Sequence, residues 1–180
     1  MRIKYLKIIF KMVRYEHPFL PVFDEKSVIL ILGSFPSVVS RKQNFYYAHP
    51  QNRFWKIISY LTETNPIPPD SEGKKFMLFT HKIALWDVIQ SCDIEGSNDH
   101  NITNIILVDL SLILRNFNLK HIFINGSRAY ELYNQYFFNI SIAVSKLPST
   151  SSANASYDFK RLIHYWNGIK QYLNQDFTFI

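Results

Sequence analysis

The chain has 180 residues, 47% of them hydrophobic, which is enough for one substantial core and too little to suggest a second domain. Twenty Lys and Arg against fourteen Asp and Glu leave a net charge of +6, a balance that suits a polyanionic partner without specifying one. Its one cysteine, Cys92, excludes an internal disulfide, a zinc cage of the Cys-x-x-Cys type and a four-cysteine iron–sulfur cluster; the six histidines are too scattered to suggest a metal site, so neither metal nor cofactor is expected.

Met1 to Lys11 is basic and apolar, yet its uninterrupted hydrophobic stretch is too short for a signal-peptide core or a membrane span. A cytoplasmic protein without membrane attachment is expected. Ser27 to Leu32 is a short continuous apolar run ended by Gly33, the pattern of a strand buried on both faces. Phe54, Ile57, Ile58 and Leu61 share one face of a helix that starts at Arg53, and the run from Asn65 to Asp70, rich in proline, reads as a turn. Ile83 to Trp86 is a second strand. The run from Asn104 to Asn116 reads as a helix, with Thr103 or Asn101 as its cap. His121 to Ile124 is a third strand, Ser127 opens a helix after Asn125-Gly126, and Ile140 to Val144 is a fourth strand.

In the last helix, capped by Ser156, an apolar stripe is formed by Phe159, Leu162, Ile163, Trp166, Ile169 and Leu173. Short buried strands alternating with helices predict an α/β fold, a three-layer α/β/α sandwich around a short central parallel sheet. Ligand sites in such sheets gather at the carboxyl ends of the strands. Neither a Gly-x-Ser-x-Gly elbow, a Gly-x-Gly-x-x-Gly loop nor a P-loop is present, which leaves a serine hydrolase a remote reading.

Two polar loops follow predicted strands. The first is Gly33-Ser34-Phe35-Pro36-Ser37, continued by Phe45-Tyr46-Tyr47-Ala48-His49-Pro50-Gln51-Asn52-Arg53-Phe54-Trp55; the second is Leu147-Pro148-Ser149-Thr150-Ser151-Ser152-Ala153-Asn154. Read as residues alone, each has an ordinary explanation. Phe35 and Tyr47 can pack beneath their loops, Asn52 can cap the helix that follows, serines favour turns, and Asn125-Gly126 is a common turn pair.

Taken together, these segments resemble the active-site motifs of the uracil-DNA glycosylase superfamily. Their pattern is that of the hypoxanthine (deoxyinosine) DNA glycosylase branch: a Gly-Ser-φ-Pro loop, a Tyr-Tyr-Ala-x-Pro-x-Asn-x-Phe-Trp segment and a Leu-Pro-Ser-Thr-Ser-x-Ala-Asn loop. Ser152 stands where Pro is commonest. Trp86-Asp87-Val88 and Ser97-Asn98-Asp99 fit the branch's central segment without assigning a role to Asp87 or Asp99. The resemblance runs from about His17 to Leu173. A single glycosylase domain over residues 1–180 is therefore expected, with residues 1–16 as an N-terminal extension and Met12 as a candidate start.

The resemblance implies a monomeric enzyme of base excision repair, associated with the nucleoid, whose partner is DNA containing a deaminated base. A glycosylase must extrude that base and hold it in a pocket. The resemblance makes Asn52 the catalytic residue, contacting the flipped base or fixing the attacking water. It places Ser34, Phe35, Tyr47 and Asn125 around the base, with Tyr47 as a stacking platform. His49, Pro148, Ser149, Thr150 and Ser151 would hold DNA phosphates, flanked by Arg41, Lys42, Arg53, Arg128 and Lys146. Ser34 replaces the acidic or amide residue that positions water in uracil-specific enzymes, and a hydroxyl is a poor general base, which argues against efficient uracil excision. No lysine in the motifs suggests a Schiff-base nucleophile, so strand cleavage is not expected. Two alternatives stand beside this: a glycosylase for uracil or mismatched thymine, and a binder of damaged or single-stranded nucleic acid without catalysis.

Overall fold

The computed structural model describes residues 12–95, 102–115 and 119–173. In chain order its elements are β1 (Met12–Glu16), β2 (Ile29–Gly33), α1 (Val38–Gln43), α2 (Phe54–Thr62), α3 (Ser71–Thr80), β3 (Ile83–Asp87) and β4 (Ile89–Glu95). They continue with β5 (Ile102–Leu107), α4 (Ser111–Leu114), β6 (His121–Asn125), α5 (Ser127–Tyr136), β7 (Ala143–Leu147), α6 (Phe159–Trp166), a 3-10 turn (Asn167–Ile169) and α7 (Lys170–Leu173).

The centre is a four-stranded, all-parallel sheet in the order β3-β2-β6-β7. Every residue of β2, β3 and β6 is buried, as uninterrupted apolar runs require when helices cover both faces of a sheet. This is the expected three-layer α/β/α fold. From β2 the chain moves outward to β3 and later returns to place β6 on the other side, so the order reverses between β2 and β6 and a crevice opens at their carboxyl ends. Register then decides what faces that crevice: Gly33 pairs with Asp87, Leu32 with Ile124 just ahead of Asn125, and Asn125 with Leu147.

Helix α2 buries Phe54, Ile57, Ile58 and Leu61 as expected. In the last helical segment Leu162, Trp166 and Ile169 are fully buried, whereas Phe159 is 40% exposed and lies at the edge of the stripe. The cap of α6 is Asp158, not Ser156: Asp158 is extended and its carboxylate accepts the Arg161 N–H at 2.7 Å, while Ser156 contributes only a carbonyl to the Arg161 side chain. The turn from Asn65 ends in another cap, Asp70, which accepts from Gly73 N–H at 2.7 Å and starts α3.

Two expected elements are also corrected. The run after Asn104 does not form the expected helix; Ile102–Leu107 is an antiparallel strand, and only Ser111–Leu114 is helical. Its β-branched residues suit the pleated surface of β4, Thr103 pairs with Asp93 rather than capping, and Asn104 takes a left-handed φ of 46° at an irregularity in the pairing. The fourth parallel strand is displaced to Ala143–Leu147 because an edge strand tolerates Ser145 and Lys146, while Ile140 and Ile142 pack against the core from the loop before the strand.

Strands β1, β4 and β5 form a second, antiparallel sheet, with Met12–Glu16 of the expected extension paired along β4. Ser97, Asn98, Asp99 and Asn101 lie outside the described residues, as do residues 1–11. Among the described residues no helix is long and apolar enough to cross a membrane.

Candidate active site

All four parallel strands end at one cavity of about 370 Å³. That is the size of a small-molecule site. Gly33 ends β2 and Ser34 to Ser37 follow it, Asp87 ends β3, Asn125 ends β6, and Ser149 to Ser151 follow β7; Tyr47 and Asn52 close the wall from the loop that enters α2. The two loops are thus brought together as expected, across more than a hundred residues of sequence.

The loop carrying Tyr47 is pinned from several directions. Ser37 caps α1 through the Ser40 N–H, Ser40 Oγ accepts from Ala48 N–H at 3.2 Å, and Trp55 Nε1 donates to the Tyr46 carbonyl at 2.9 Å. Between these anchors Tyr47 adopts φ 51°, a left-handed conformation uncommon for an aromatic residue. Its ring stacks on Phe54, with centroids 3.9 Å apart and planes 20° from parallel. The Tyr47 hydroxyl is buried without a hydrogen-bond partner. Burial, with the Asp87 carboxylate next, pushes this phenol far above its usual range, and Tyr46 is raised by the same causes, so both stay protonated donors.

Asn52 precedes Arg53, the N-cap residue of α2. Its Oδ1 accepts the Phe54 N–H at 3.0 Å at the start of α2, and the residue also lines the cavity. With the oxygen occupied, the amide orientation is fixed and Nδ2 is left as the donor. Its backbone N–H bonds the His49 carbonyl at 2.8 Å, while His49 Nδ1 lies 3.2 Å from the Gln51 N–H. His49 therefore orders this turn and does not line the cavity; its Nε2 is the nitrogen left for a partner.

Asn125 is not a free amide. Its Oδ1 accepts the Thr150 N–H at 3.0 Å and its Nδ2 donates to Thr150 Oγ1 at 3.1 Å. Thr150 lines the cavity but is fully buried, and its hydroxyl accepts from Asn125 and fastens the second loop to β6. Pro148 contributes its carbonyl to Trp166 Nε1 at 3.0 Å. Ser149 Oγ accepts from Ser151 N–H at 3.2 Å and Ser151 Oγ from Ala153 N–H at 3.3 Å, leaving both hydroxyl protons to donate at the rim. Ser34 and Phe35 line the cavity as expected, with Phe35 set edge-on to His17 at 6.0 Å.

Three residues carry more than the sequence reading gave them. Arg53 was expected near phosphate, but its guanidinium points inward and bonds the carbonyls of Thr150, Ser151, Asn154 and Tyr157, tying the two loops together. Asp87 is 4% exposed and lines the cavity; His17, equally enclosed, places Nε2 3.0 Å from Asp87 Oδ2 and Nδ1 2.7 Å from the Phe19 carbonyl. A signal for Asp87 was available: a carboxylate closing a fully apolar strand must find a partner once buried. Of the other cations, Arg41 bonds the Pro36 carbonyl at 2.6 Å and sits over Tyr15, Lys146 sits over Tyr130, Lys42 is exposed in the last turn of α1, and Arg128 lines the cavity.

The family model for the uracil DNA glycosylase superfamily matches residues 20–170. The chain belongs to that superfamily. Two proteins named hypoxanthine DNA glycosylase are similar to it. The one from Methanosarcina barkeri (strain Fusaro / DSM 804) is 34% identical over 138 residues, 76% of this chain and 86% of that protein. The one from Methanosarcina acetivorans is 34% identical over 141 residues, 78% and 89% of the two chains. The solution NMR structure of a candidate uracil DNA glycosylase from Methanosarcina acetivorans superposes with a TM-score of 0.79 at 31% identity, covering 91% of this chain and all of that one. The superfamily glycosylase seen here keeps its pocket at the carboxyl ends of a parallel sheet, walled by amides, hydroxyls and aromatic rings.

Proposed function

We propose that the protein is a monofunctional DNA glycosylase that removes hypoxanthine from deoxyinosine in DNA, acting as a monomer at the nucleoid. The observation that carries this reading is Asn52. Its amide oxygen is held by the Phe54 N–H, so Nδ2 is a preoriented donor at the wall of a cavity into which the Ser34 loop brings no carboxylate. The two curated relatives, named for hypoxanthine, support the choice of base.

In the reaction the bond from deoxyribose C1′ to purine N9 breaks, and its electron pair leaves with the base. Water supplies the hydroxyl that joins C1′, and its proton ends on the purine. A donor aimed at the departing base stabilises it more as an anion than as a neutral base, the differential binding that catalysis requires. Asn52 Nδ2 is that donor. One face of Tyr47 is taken by Phe54, so the flipped base stacks on the other. The Ser149 and Ser151 hydroxyls, His49 Nε2 and Arg128 supply phosphate contacts at the rim.

The test is base release from otherwise identical duplexes carrying one inosine, one uracil or one mismatched thymine, with the abasic product revealed by alkali. Inosine is expected to be processed fastest, and no strand cleavage is expected before alkali. Release of uracil alone would move the protein to another branch, and tight binding with no release of any base would make it a binder.

A further inference from the structure

Helices α2 and α6 leave the rim of the cavity together. The first follows Asn52, the second follows the serine loop, and Arg53 ties their starts through the carbonyls of Thr150, Ser151, Asn154 and Tyr157. Further along, Tyr60 of α2 meets Phe159 of α6 edge to face, with ring centroids 6.4 Å apart. Both rings stay open to solvent, Tyr60 at 54% and Phe159 at 40%.

The outward side of α6 carries cations between aromatic rings. Helical spacing puts Lys160 and His164 between Phe159 on one flank and Arg161 and Tyr165 on the other, all of them exposed. The Arg161 guanidinium lies 4.7 Å from the centre of the Tyr157 ring, and that ring meets Tyr165 at 5.6 Å. On α2, Lys56 is exposed one turn before Tyr60. Lys56 and Lys160 make no ion pair among the described residues. Asp158 and Glu63, which border the face, are both engaged: Asp158 caps α6, and Glu63 lies 3.4 Å from Lys170.

This alternation selects a partner. An apolar surface would strip water from the ammonium groups without pairing them. A duplex would offer its phosphates but keep its bases stacked away from the rings. An unpaired strand satisfies both kinds of group, since its phosphates meet the cations and its bases stack on the aromatic faces. On the reading of the cavity as a pocket for a base flipped from DNA, we propose that the α2–α6 face holds an unpaired stretch of the lesion strand that continues past the rim. The protein thereby grips DNA that is single-stranded on one side of the damaged base.

The test is binding followed by fluorescence anisotropy, with duplexes carrying one inosine whose hydrolysis is blocked by a 2′-fluoro substituent. The lesion strand either ends with the duplex or continues as an unpaired thymidine tail of about ten nucleotides, within the span of a single-strand site, on its 5′ side in one probe and its 3′ side in another. Wild type is expected to bind one tailed duplex at least about fivefold more tightly than the blunt one, the lower end of what one stacked base contributes. Tyr60→Ala is expected to lose that gain. Lys160→Gln is expected to lower the log–log salt slope of the tailed complex by about 0.7, the release from one phosphate of a single strand. Both variants should bind the blunt duplex, and release hypoxanthine from its unmodified counterpart, as wild type does. A gain from neither tail, a gain kept in Tyr60→Ala, or an equal gain from a paired extension of the same length would overturn the proposal. The first and third of these are decided by wild type alone, whatever the variants do. A gain from the tail in a protein that releases no hypoxanthine from ordinary inosine DNA would refute the proposed function and leave the surface standing.

Discussion

Asn125 and Thr150 hold each other through two hydrogen bonds, 3.0 Å from the Thr150 N–H to Oδ1 and 3.1 Å from Nδ2 to Oγ1, both buried. This pair joins the end of β6 to the loop after β7, so the second motif is positioned by the sheet itself. Thr150→Val keeps the backbone bond and the volume but deprives Nδ2 of its acceptor. It should destabilise the protein by about 1–3 kcal/mol in urea unfolding and lower base release.

Arg53 holds the same loop from the other side through four carbonyls. Arg53→Gln should cost at least about 2 kcal/mol, since bonds to a charged donor are the stronger ones. Hydrogen exchange over residues 148–157 should accelerate, and DNA affinity should fall. Arg53→Lys should not restore it, because an ammonium cannot reproduce the planar fork.

Gly33→Ala places a methyl group where Asp87 Oδ1 and the Tyr47 hydroxyl stand. Asp87 cannot retreat without breaking its bond to His17. Hypoxanthine release should drop at least about tenfold in single-turnover assays, with a lowered melting temperature, as for other insertions into packed sites.

His121 is buried at the start of β6, with Nε2 2.9 Å from Ser145 Oγ and Nδ1 2.8 Å from the Tyr172 hydroxyl, and burial lowers its pKa below the ordinary 6.5. His81 is shifted the same way by burial. A lowered histidine pKa means that the unfolded chain binds the proton first as pH falls. The contribution to stability is therefore intact above about 6.5 and is lost as pH descends through the folded-state value. The urea midpoint should fall between pH 7.5 and pH 5.5, and His121→Gln should show a smaller fall.

The central sheet was legible because β2, β3 and β6 are each built on a continuous apolar run, a pattern that strands covered on both faces require. β7 and β5 were misread for the opposite reason. An edge strand carries Ser145 and Lys146 openly, and the run after Asn104 satisfies a helical spacing until pairing with β4 decides it. Asn52, Tyr47 and the serine loop were legible as motifs, yet their bonding was not. That Thr150 and Asn125 bind each other, and that Arg53 turns inward, depends on strand register across the sheet, which spacing along the chain does not encode. Asp87 carried a physical signal that its neighbours in sequence could not complete, since its partner His17 lies 70 positions away.

The most direct test of the account is single-turnover release of hypoxanthine from a duplex with one inosine, comparing wild type with Asn52→Ala. Loss of the Phe54 N–H bond to Asn52 Oδ1 costs about 1 kcal/mol and leaves the fold intact. Rapid release by wild type and a loss of at least about a hundredfold in the variant are expected, the scale for removing a donor that acts in the transition state. Equal rates for the two proteins would contradict the account.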